Sequence, residues 1–397
     1  MKVDRDIAPF LARAASRFPA VTLTGPRQSG KSTLCRRIFP DLPVVNLEAP
    51  DVRSFAIDDP RGFLAAYPDG AILDEVHRCP ALLSYLQPNI DDDARPGRWV
   101  LTGSHNLSLL ESVIQSLAGR TAVAHLLPLA RTEARRFSRY PRSLDEAIVT
   151  GGYPAIYDRG LDPAEWLAPY VATYLERDVR SISRIVDLVS FQRFVTLCAG
   201  RTGQLLNLSA LASETGISQP TAKAWLSILE ASFIVFRLPA FHAGIVKRLV
   251  KMPKLHFYDT GLACWLLGIR TTEHLRSHPL RGALFESWVV SEVMKHRTNR
   301  GEVGGLFFYR DRHGTEADLV MQAGGRLIVV EVKASATITT EMLAGPARVA
   351  TILKAAGEVD AVTVHAGDMR QDRSGAVALP WESVHELVQE ESADRRG

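Results

Sequence analysis

The chain has 397 residues, of which 46% are hydrophobic and 23% are charged, and its formal net charge is +3 at pH 7. This length exceeds what one hydrophobic core usually supports, so the chain is expected to form two or three domains. The composition is typical of water-soluble globular proteins, no apolar run approaches the length of a membrane span, and the small net charge does not by itself identify a nucleic-acid partner.

The cysteines are few and far apart. Cys35, Cys79, Cys198 and Cys264 form no C-x-x-C pair. Such spacing argues against a zinc site or a disulfide framework and is typical of proteins in a reducing compartment. The first residues also lack the apolar segment of a signal peptide. Together these features predict a cytoplasmic protein without a membrane partner.

The first motif is a complete G-x-x-x-x-G-K-S loop between a predicted strand at residues 21–24 and a predicted helix at residues 33–38. Its glycines allow backbone N–H groups to close around phosphates, and the helix N-terminus adds a partial positive charge. The loop therefore predicts a nucleotide triphosphate site in which Lys31 contacts the β- and γ-phosphates and the Ser32 hydroxyl binds Mg²⁺. The predicted nucleotide-binding residues are Gly25, Pro26, Arg27, Gln28, Ser29, Gly30, Lys31, Ser32 and Thr33.

Two further apolar segments end in polar residues that suit the same site. Residues 71–75 read as a strand ending in two carboxylates, the Walker B pattern, and such acids mark the ligand side of a parallel sheet. Asp74 is predicted to hold Mg²⁺ through water, and Glu75 to polarise the attacking water. Residues 99–103 read as another buried strand, and the Ser104 that follows is placed to bind the γ-phosphate or the water.

A helix follows Ser104, with apolar residues at helical spacing, and it closes on Arg120 before a strand at residues 122–126. The apolar residues of this helix are Leu107, Leu110, Ile114 and Leu117. The alternation of strands and helices predicts a doubly wound α/β domain.

With these motifs in view, the first third of the chain resembles the AAA+ ATPases, whose nucleotide is ATP. In that superfamily the end of this helix carries an arginine finger that completes a neighbouring subunit's site, and the resemblance places Arg120 in that role. This implies a homo-oligomer. The rival interpretation is that Arg120 caps its own helix and stabilises the helix dipole.

A basic stripe is predicted on a helix within residues 128–142. Its arginines are Arg131, Arg135 and Arg139 at four-residue intervals, with Arg136 and Arg142 beside them. The stripe could follow the phosphate backbone of DNA. Alternatively, it is a solvated face or pairs with acids on another domain.

The middle of the chain contains a helix-turn-helix pattern after a predicted junction at residues 151–154 and a helical segment at residues 163–200. The pattern combines a helix at residues 207–212, a glycine turn, and a second helix capped by Ser218. The second helix is predicted to bury Ala222, Trp225 and Leu229 and to expose Gln219, Lys223 and Ser227. With the strand at residues 233–238 this suggests a winged helix, used for packing or for DNA. Lys247, Arg248, Lys251 and Lys254 are expected to add basic surface.

The last third contains an alternating hairpin rich in charged residues. A turn at residues 324–325 places Asp318 opposite Glu331. The same register places Glu316 opposite Lys333, with all four side chains on one face. Opposed carboxylates repel each other, and a divalent cation between them removes that penalty.

A third acid, Glu286, falls on the apolar face of a helix predicted at residues 283–294, where a carboxylate is costly without a partner. Glu, Asp and Glu-x-Lys in this order resemble the PD-(D/E)xK nucleases. The resemblance implies that Glu286, Asp318 and Glu331 bind a metal and that Lys333 activates water for phosphodiester hydrolysis. The alternatives are a surface salt bridge or a retained fold without metal chemistry.

Taken as a whole, the chain is similar to bacterial and archaeal AAA-type ATP-binding proteins with a C-terminal domain of unknown function. The segments that carry this resemblance are the Gly25 loop and residues 73–75, 101–104, 118–120, 174–178, 259–262 and 330–333.

The prediction is an α/β protein in three parts. They are a P-loop AAA+ domain with a parallel sheet at residues 1–147, a helical and winged-helix domain at residues 148–250, and a restriction-endonuclease-like domain at residues 251–397. The predicted function is a Mg²⁺-dependent ATPase that acts on or with DNA and carries a metal-dependent nuclease module. The alternative is a nucleotide-switched regulator or scaffold for a protein partner, with an inert C-terminal module.

Overall fold

A computed structural model describes most of the chain. The described residues are 3–104, 113, 116–173, 187–241, 252–373 and 375–388. Several predicted features lie outside them, namely Leu107, Leu110, Ile114, the segment 174–178, Lys247, Arg248 and Lys251.

The N-terminal domain is built on a five-stranded parallel sheet of order β2-β3-β4-β1-β5. Its strands are β1 (Ala20–Thr24), β2 (Val44–Asn46), β3 (Ala71–Asp74), β4 (Trp99–Gly103) and β5 (Thr121–His125). The three interior strands are buried along their whole length, as expected for parallel strands covered on both faces. The accompanying helices are Ala8–Ala15, Lys31–Ile38, Pro50–Asp58, Pro60–Ala65 and Leu82–Asp92.

Alternate residues of the interior strands enter two separate hydrophobic clusters. Leu73 and Leu101 belong to one cluster, whereas Ile72 and Val100 belong to the other. Side chains alternate across a strand, so each face of the sheet has its own core. The predicted doubly wound α/β domain is confirmed. Its topology brings the phosphate loop, Asp74 and Ser104 to one edge of the sheet.

The middle of the chain is mainly helical. A short helix, Arg131–Ala134, ends the N-terminal domain. The helices of the middle part are Leu144–Thr150, Pro154–Arg159, Pro163–Tyr170, Leu188–Ala199, Leu208–Thr215 and Gln219–Ala231. The predicted helix-turn-helix is present, and the Ser218 side chain caps the second helix by accepting a hydrogen bond from Thr221 N. Ala222, Trp225 and Leu229 are buried as predicted.

A small antiparallel sheet of order β6-β8-β7 completes the middle part. Its strands are β6 (Gln204–Leu205), β7 (Val235–Leu238) and β8 (Lys254–Phe257). Strand β8 pairs with both neighbours, so this sheet crosses the domain boundary expected at residue 250. One hydrophobic cluster also runs from Phe194 and Trp225 to Phe285 and Trp288, which shows that the middle and C-terminal parts share a core.

The C-terminal part contains a six-stranded mixed sheet of order β13-β14-β12-β11-β10-β9. Its strands are β9 (Leu306–Arg310), β10 (Glu316–Ala323), β11 (Arg326–Lys333), β12 (Val359–His365), β13 (Gln371–Arg373) and β14 (Ala376–Pro380). The helices of this part are Thr260–Leu266, Thr272–Ser277, Arg281–Asn299 and Thr340–Leu353.

The predicted hairpin register is confirmed for residues 319–323 of β10 and 326–330 of β11. The predicted pairs Asp318–Glu331 and Glu316–Lys333 lie beyond this ladder, and Glu316 pairs with Arg310 of β9 instead. Leu319 lies opposite Val330 and Ala323 lies opposite Arg326, which leaves residues 324–325 as the turn. Both turn residues are glycines with positive φ, 55° and 94°, as tight hairpin turns require.

The predicted basic stripe is wrong, because its helix ends at Ala134. Arg131 is buried, forms an ion pair with Glu382 of the C-terminal part, and lies 4.1 Å from the centre of the Trp381 ring. Arg136 pairs with Asp6 instead. The alternative prediction, pairing with acids on another domain, describes Arg131 correctly.

All four cysteines are buried free thiols. Among the described residues, no helix combines the length and the apolar character needed to cross a bilayer.

Candidate functional site

The phosphate loop depends on two glycines whose conformations other residues rarely adopt. Gly25 has φ 149°, and a Cβ at this position would lie 2.2 Å from the Leu126 carbonyl oxygen. Gly30 has φ 94° and caps the helix Lys31–Ile38 in a left-handed conformation. The helix N-terminus therefore faces into the loop, as an anion-binding site requires.

Lys31 lies inside this loop. Its ammonium donates to the carbonyl oxygens of Gly25 and Pro26, both at 2.9 Å. Burial lowers the pKa of Lys31 to about 8, against the opposing effect of the negative charges of Glu75 and Asp74. The Ser29 hydroxyl is buried nearby, and it has no hydrogen-bond partner within the part of the chain that the structure describes. A buried ammonium and a free hydroxyl in one loop fit a phosphate ligand.

Ser32 and Asp74 meet at the edge of the sheet. The Ser32 hydroxyl donates to Asp74 Oδ1 at 3.0 Å, and the Thr102 hydroxyl donates to the same carboxylate oxygen. Hydroxyl and carboxylate oxygens are ligands that Mg²⁺ prefers. The residues therefore fit the predicted magnesium site, which Ser32 and Asp74 would form together with the phosphates.

Glu75 is held in a strained backbone conformation, with φ 56° for a residue other than glycine. Its Oε2 accepts hydrogen bonds from Ser104 N at 3.2 Å and from Ser104 Oγ at 3.1 Å, and it lies 3.1 Å from His77 Nδ1. Burial opposes ionisation, but the bond from His77, the charge of Lys31 and the Ser104 amide outweigh it and lower the pKa of Glu75 to about 2. Glu75 is thus an ionised carboxylate next to Asp74.

Arg120 is engaged within its own chain. Its guanidinium pairs with Asp91, with Nε–Oδ1 and Nη2–Oδ2 distances of 2.6 and 2.8 Å, and Nη1 donates to the Ala118 carbonyl at 3.3 Å. The contact with Ala118 is what the helix-capping interpretation predicts. The finger role stays a prediction that requires a neighbouring subunit.

The predicted nuclease residues are brought together in the C-terminal part. Strand β11 supplies Glu331 and Lys333, whose ammonium donates to Glu331 Oε1 at 2.6 Å. Strand β10 supplies Asp318, whose Oδ2 accepts from Val332 N at 2.9 Å. Glu286 reaches the same place from the helix Arg281–Asn299, and we call these residues with Lys254 the carboxylate cluster.

The prediction that Lys254 adds basic surface is wrong. Lys254 is 4% exposed and lies inside the carboxylate cluster. Its ammonium donates to Glu286 Oε1 at 2.7 Å and to Asp318 Oδ1 at 3.1 Å. The partner that Glu286 needs on an apolar helix face is therefore the Lys254 ammonium.

The carboxylate cluster does not fit a divalent metal as it is arranged. Asp318 uses one oxygen for Lys254 and the other for the Val332 amide, and Glu331 Oε1 is bound by Lys333. Within the described ranges, no group of three or more metal-ligating side chains is placed to hold a metal ion. The metal roles predicted for Glu286, Asp318 and Glu331 consequently gain no support from this geometry.

Comparison with known protein families divides the chain into three matches. Residues 17–134 match a family described as "AAA domain", residues 141–273 match a domain of unknown function (DUF8612), and residues 281–384 match another domain of unknown function (DUF4143). The chain therefore carries an AAA-type ATPase domain followed by two domains of unknown function. The middle match continues beyond residue 250, in agreement with the sheet that contains β8.

Among curated proteins, the chain is 31% identical over 336 residues to the uncharacterized protein Rv2008c of Mycobacterium tuberculosis. The match covers 84% of this chain and 74% of the relative, and the uncharacterized protein Mb2031c of Mycobacterium bovis matches equally well. The chain belongs to the same family as these two uncharacterized proteins. Among solved structures, the Walker-type ATPase PABY2304 of Pyrococcus abyssi is 15% identical and matches 66% of this chain and 95% of its own, with a TM-score of 0.46.

The ATPase domain of this family member contacts its C-terminal part through buried polar groups. Arg5 is 2% exposed and donates to Glu133 at 2.8 Å, to the Ser29 carbonyl in the phosphate loop at 2.9 Å, and to the Leu127 carbonyl at 2.7 Å. The Arg131 amide donates to Glu292 of the helix Arg281–Asn299 at 2.7 Å. A continuous chain of contacts thus links the phosphate loop to the C-terminal part, and we call it the Arg5 path.

Several of these residues escaped prediction from sequence. Thr102 was part of a predicted strand, but no role was assigned to it. Arg5 and His77 belong to no recognisable motif. The partner of Arg5, Glu133, is distant in sequence, and His77 contacts Glu75 within a turn. Lys254 did leave a signal, because it begins an apolar run and is followed by Leu255 and Phe257 in a short strand.

His125 is the last residue of β5, and it predicts a pH dependence of the stability of the AAA-type domain. Its Nδ1 lies 2.6 Å from the Thr24 hydroxyl, and burial lowers its pKa from 6.5 to about 4. The unfolded chain therefore binds a proton between these pH values that the folded chain excludes, so stability is lost as pH falls from 6.5 toward 4. We expect His125→Gln to reduce the stability lost between about pH 7.5 and about pH 5 by about 2 kcal/mol.

The measurement is urea unfolding of both proteins at the two pH values. His313→Gln, at an exposed position, is the control. An unchanged pH dependence in His125→Gln would show that His125 does not contribute to acid destabilisation.

Proposed function

We propose that the protein is a Mg²⁺-dependent ATPase and that ATP is hydrolysed at the phosphate loop of its AAA-type domain. The observation that supports this most strongly is the meeting of Ser32 with Asp74, beside Lys31 and Glu75, at one edge of a parallel sheet. In the proposed site the loop amides and Lys31 bind the β- and γ-phosphates. When bound, Mg²⁺ would neutralise charge on these phosphates, held by Ser32 and Asp74.

Glu75 is the proposed partner of the attacking water. The water attacks the γ-phosphorus, the bond to the β–γ bridging oxygen breaks, and ADP and phosphate leave. A carboxylate with a pKa of about 2 is a weak base, so Glu75 orients and polarises the water more than it removes its proton. The Ser104 hydroxyl donates to Glu75 in this structure, and the same hydroxyl is the predicted γ-phosphate sensor. Binding of ATP would compete for this hydroxyl and free the carboxylate toward the water.

The Arg5 path supports a nucleotide-switched output. A change at Ser29 reaches Glu133 through one buried guanidinium, and the same segment contacts Glu292 of the C-terminal part. Charged hydrogen bonds in a buried setting are strong and directional, so a displacement at one end shifts the other. We therefore favour the regulator or scaffold, in which ATP sets the position of the C-terminal part, over the nuclease. A homo-oligomer completed by Arg120 is compatible with either reading.

Action on DNA is the second candidate. The exposed face of the helix Gln219–Ala231 carries Gln219 and Lys223, two side chains that can donate hydrogen bonds to bases or phosphates, although this is a weak pattern for a DNA reader. Metal-dependent DNA cleavage is the weaker part of this candidate, since Lys254 already bridges Glu286 and Asp318.

The test is phosphate release by the full-length protein with ATP, with and without Mg²⁺, and with single- or double-stranded DNA. We expect Mg²⁺-dependent release that EDTA abolishes. DNA binding whose affinity falls steeply with salt would support the second candidate. If no DNA binds at low salt, the nucleotide-switched regulator or scaffold is the candidate that remains. Absence of phosphate release under all these conditions would contradict the proposed ATPase.

A cleavage assay with Mg²⁺ or Mn²⁺ accompanies this experiment and tests the nuclease directly. DNA cleavage that disappears in both Asp318→Ala and Lys333→Ala would establish the nuclease module. Cleavage that survives both changes would assign the activity to another source.

A further inference from the structure

The carboxylate cluster contains three acids and two lysines. Asp318 and Glu331 are each 8% exposed, and Glu286 lies beside them with a side chain that is 14% exposed. Burial and the charge of Asp318 raise the pKa of Glu286 well above its usual range and that of Glu331 to about 7. Three carboxyl groups in one buried place stay ionised only with cations beside them, and the question is which cations supply the charge.

Lys254 and Lys333 contribute to the cluster in different ways. Lys254 is buried and bridges two carboxylates from separate elements, the helix Arg281–Asn299 and strand β10. Lys333 is 38% exposed in its side chain and contacts the carboxylate two residues before it. The bridging lysine thus lies at the point where two acids would otherwise repel each other.

The position of Lys254 is fixed by the backbone. Strand β8 pairs with β7 on one side and with β6 on the other, and Lys254 lies opposite Leu238 and Leu205. Its ammonium also lies 5.7 Å from the centre of the Phe308 ring. To withdraw the ammonium, the side chain would have to leave a buried setting and give up two charged hydrogen bonds, so a divalent ion cannot simply displace it.

We infer that Lys254 is the built-in cation of the carboxylate cluster, lying between Glu286 and Asp318 where a divalent metal would otherwise bind, so that this part of the protein works without a metal. The inference concerns the C-terminal part and does not rest on the proposed ATPase. It gives the cluster a definite role, which is to tie strand β8 of the middle part to the sheet of the C-terminal part through an ion triad.

Removal of Lys254 would allow the carboxylates of the cluster to rearrange around a metal ion. Without the ammonium, Glu286 Oε1 and Asp318 Oδ1 face each other with no cation between them. Glu331 Oε2 is buried close by and has no hydrogen-bond partner within the described ranges. Carboxylate oxygens from three elements are a ligand set that Mn²⁺ and Mg²⁺ accept.

The experiment measures Mn²⁺ binding by electron paramagnetic resonance and thermal unfolding of the full-length protein without nucleotide. All variants carry Asp74→Asn, which removes the proposed metal ligand of the phosphate loop. We expect no stoichiometric Mn²⁺ binding and no Mn²⁺-dependent shift in Tm with Lys254 present. Lys254→Met should unfold at a lower temperature, and Mn²⁺ at about 100 times its dissociation constant should raise its Tm by about 5 °C.

Lys333→Met is the matched control, because it removes a lysine of the same cluster that bridges no two acids. It should stay indifferent to Mn²⁺. The double variant Lys254→Met with Asp318→Asn removes one acid together with the cation, so it should recover part of the lost Tm and bind no Mn²⁺. Recovery in the double variant also tests the charge role if Lys254→Met alone does not fold.

Two results would overturn the inference. The first is one Mn²⁺ bound to protein with Lys254 present and lost on Asp318→Asn, because the metal would then coexist with the lysine. The second is a folded Lys254→Met protein that neither loses stability nor binds Mn²⁺, because the ammonium would then replace nothing.

Discussion

Replacing Lys31 by Met is expected to lower ATP turnover at least about a hundredfold, because a buried donor to the transferring phosphate is lost. Methionine retains the length and the apolar contacts of the side chain, so the loop should keep its shape. The hydrogen bonds that the ammonium makes with the Gly25 and Pro26 carbonyls would be lost too. Nucleotide binding should weaken together with turnover, since Lys31 contacts phosphates in both the ground state and the transition state.

The measurement is steady-state phosphate release, paired with calorimetric titration of ATP and ADP. Arg36→Met serves as the matched control, because Arg36 is an exposed cation on the same helix. It should leave turnover unchanged. Equal turnover in Lys31→Met and in the unmodified protein would remove the phosphate loop from the proposed mechanism.

The second large effect is expected for Glu75→Gln. Glutamine preserves the shape and accepts the hydrogen bonds from Ser104, but it carries no negative charge to polarise water. Turnover should fall by about 10²–10³-fold, as for the loss of one electrostatic contact in the transition state. ATP binding should remain, because Glu75 makes no proposed contact with the phosphates in the ground state.

Single-turnover phosphate release separates these two quantities, and filter binding of ATP gives the affinity. Glu48→Gln, an exposed glutamate between β2 and β3, is the control. If Glu75→Gln loses ATP binding and turnover in the same proportion, its role is structural, and the attacking water must be activated elsewhere.

Local patterns explain why much of the ATPase domain could be predicted. The loop from Gly25 to Ser32 and the strand that ends in Asp74 are encoded by residues next to one another in sequence. Parallel pairing then brings the strand ends to one edge of the sheet, which follows from topology alone. The hairpin register is predictable for a similar reason, since the two-glycine turn fixes the five pairs nearest to it along β10 and β11.

Long-range contacts explain what could not be predicted. Lys254 reaches Asp318 across 64 positions of sequence, and Arg5 reaches Glu133 across 128. No spacing rule connects such residues, because their proximity depends on how whole elements pack. The predicted arginine stripe is wrong because its helix ends at Ala134. Phe137, three residues later, is buried in the core.

The Arg5 path has a practical consequence for dividing the molecule. Cutting the chain after Ala134 would separate Glu292 and Lys295 from their backbone partners. Glu292 accepts from the Arg131 amide at 2.7 Å, and Lys295 donates to the Leu129 carbonyl at 3.1 Å. Both side chains would then lose these hydrogen bonds, and the interface that buries them would be exposed to water. Neither the AAA-type fragment nor the remainder would then represent the intact protein, so experiments on either part require the undivided polypeptide.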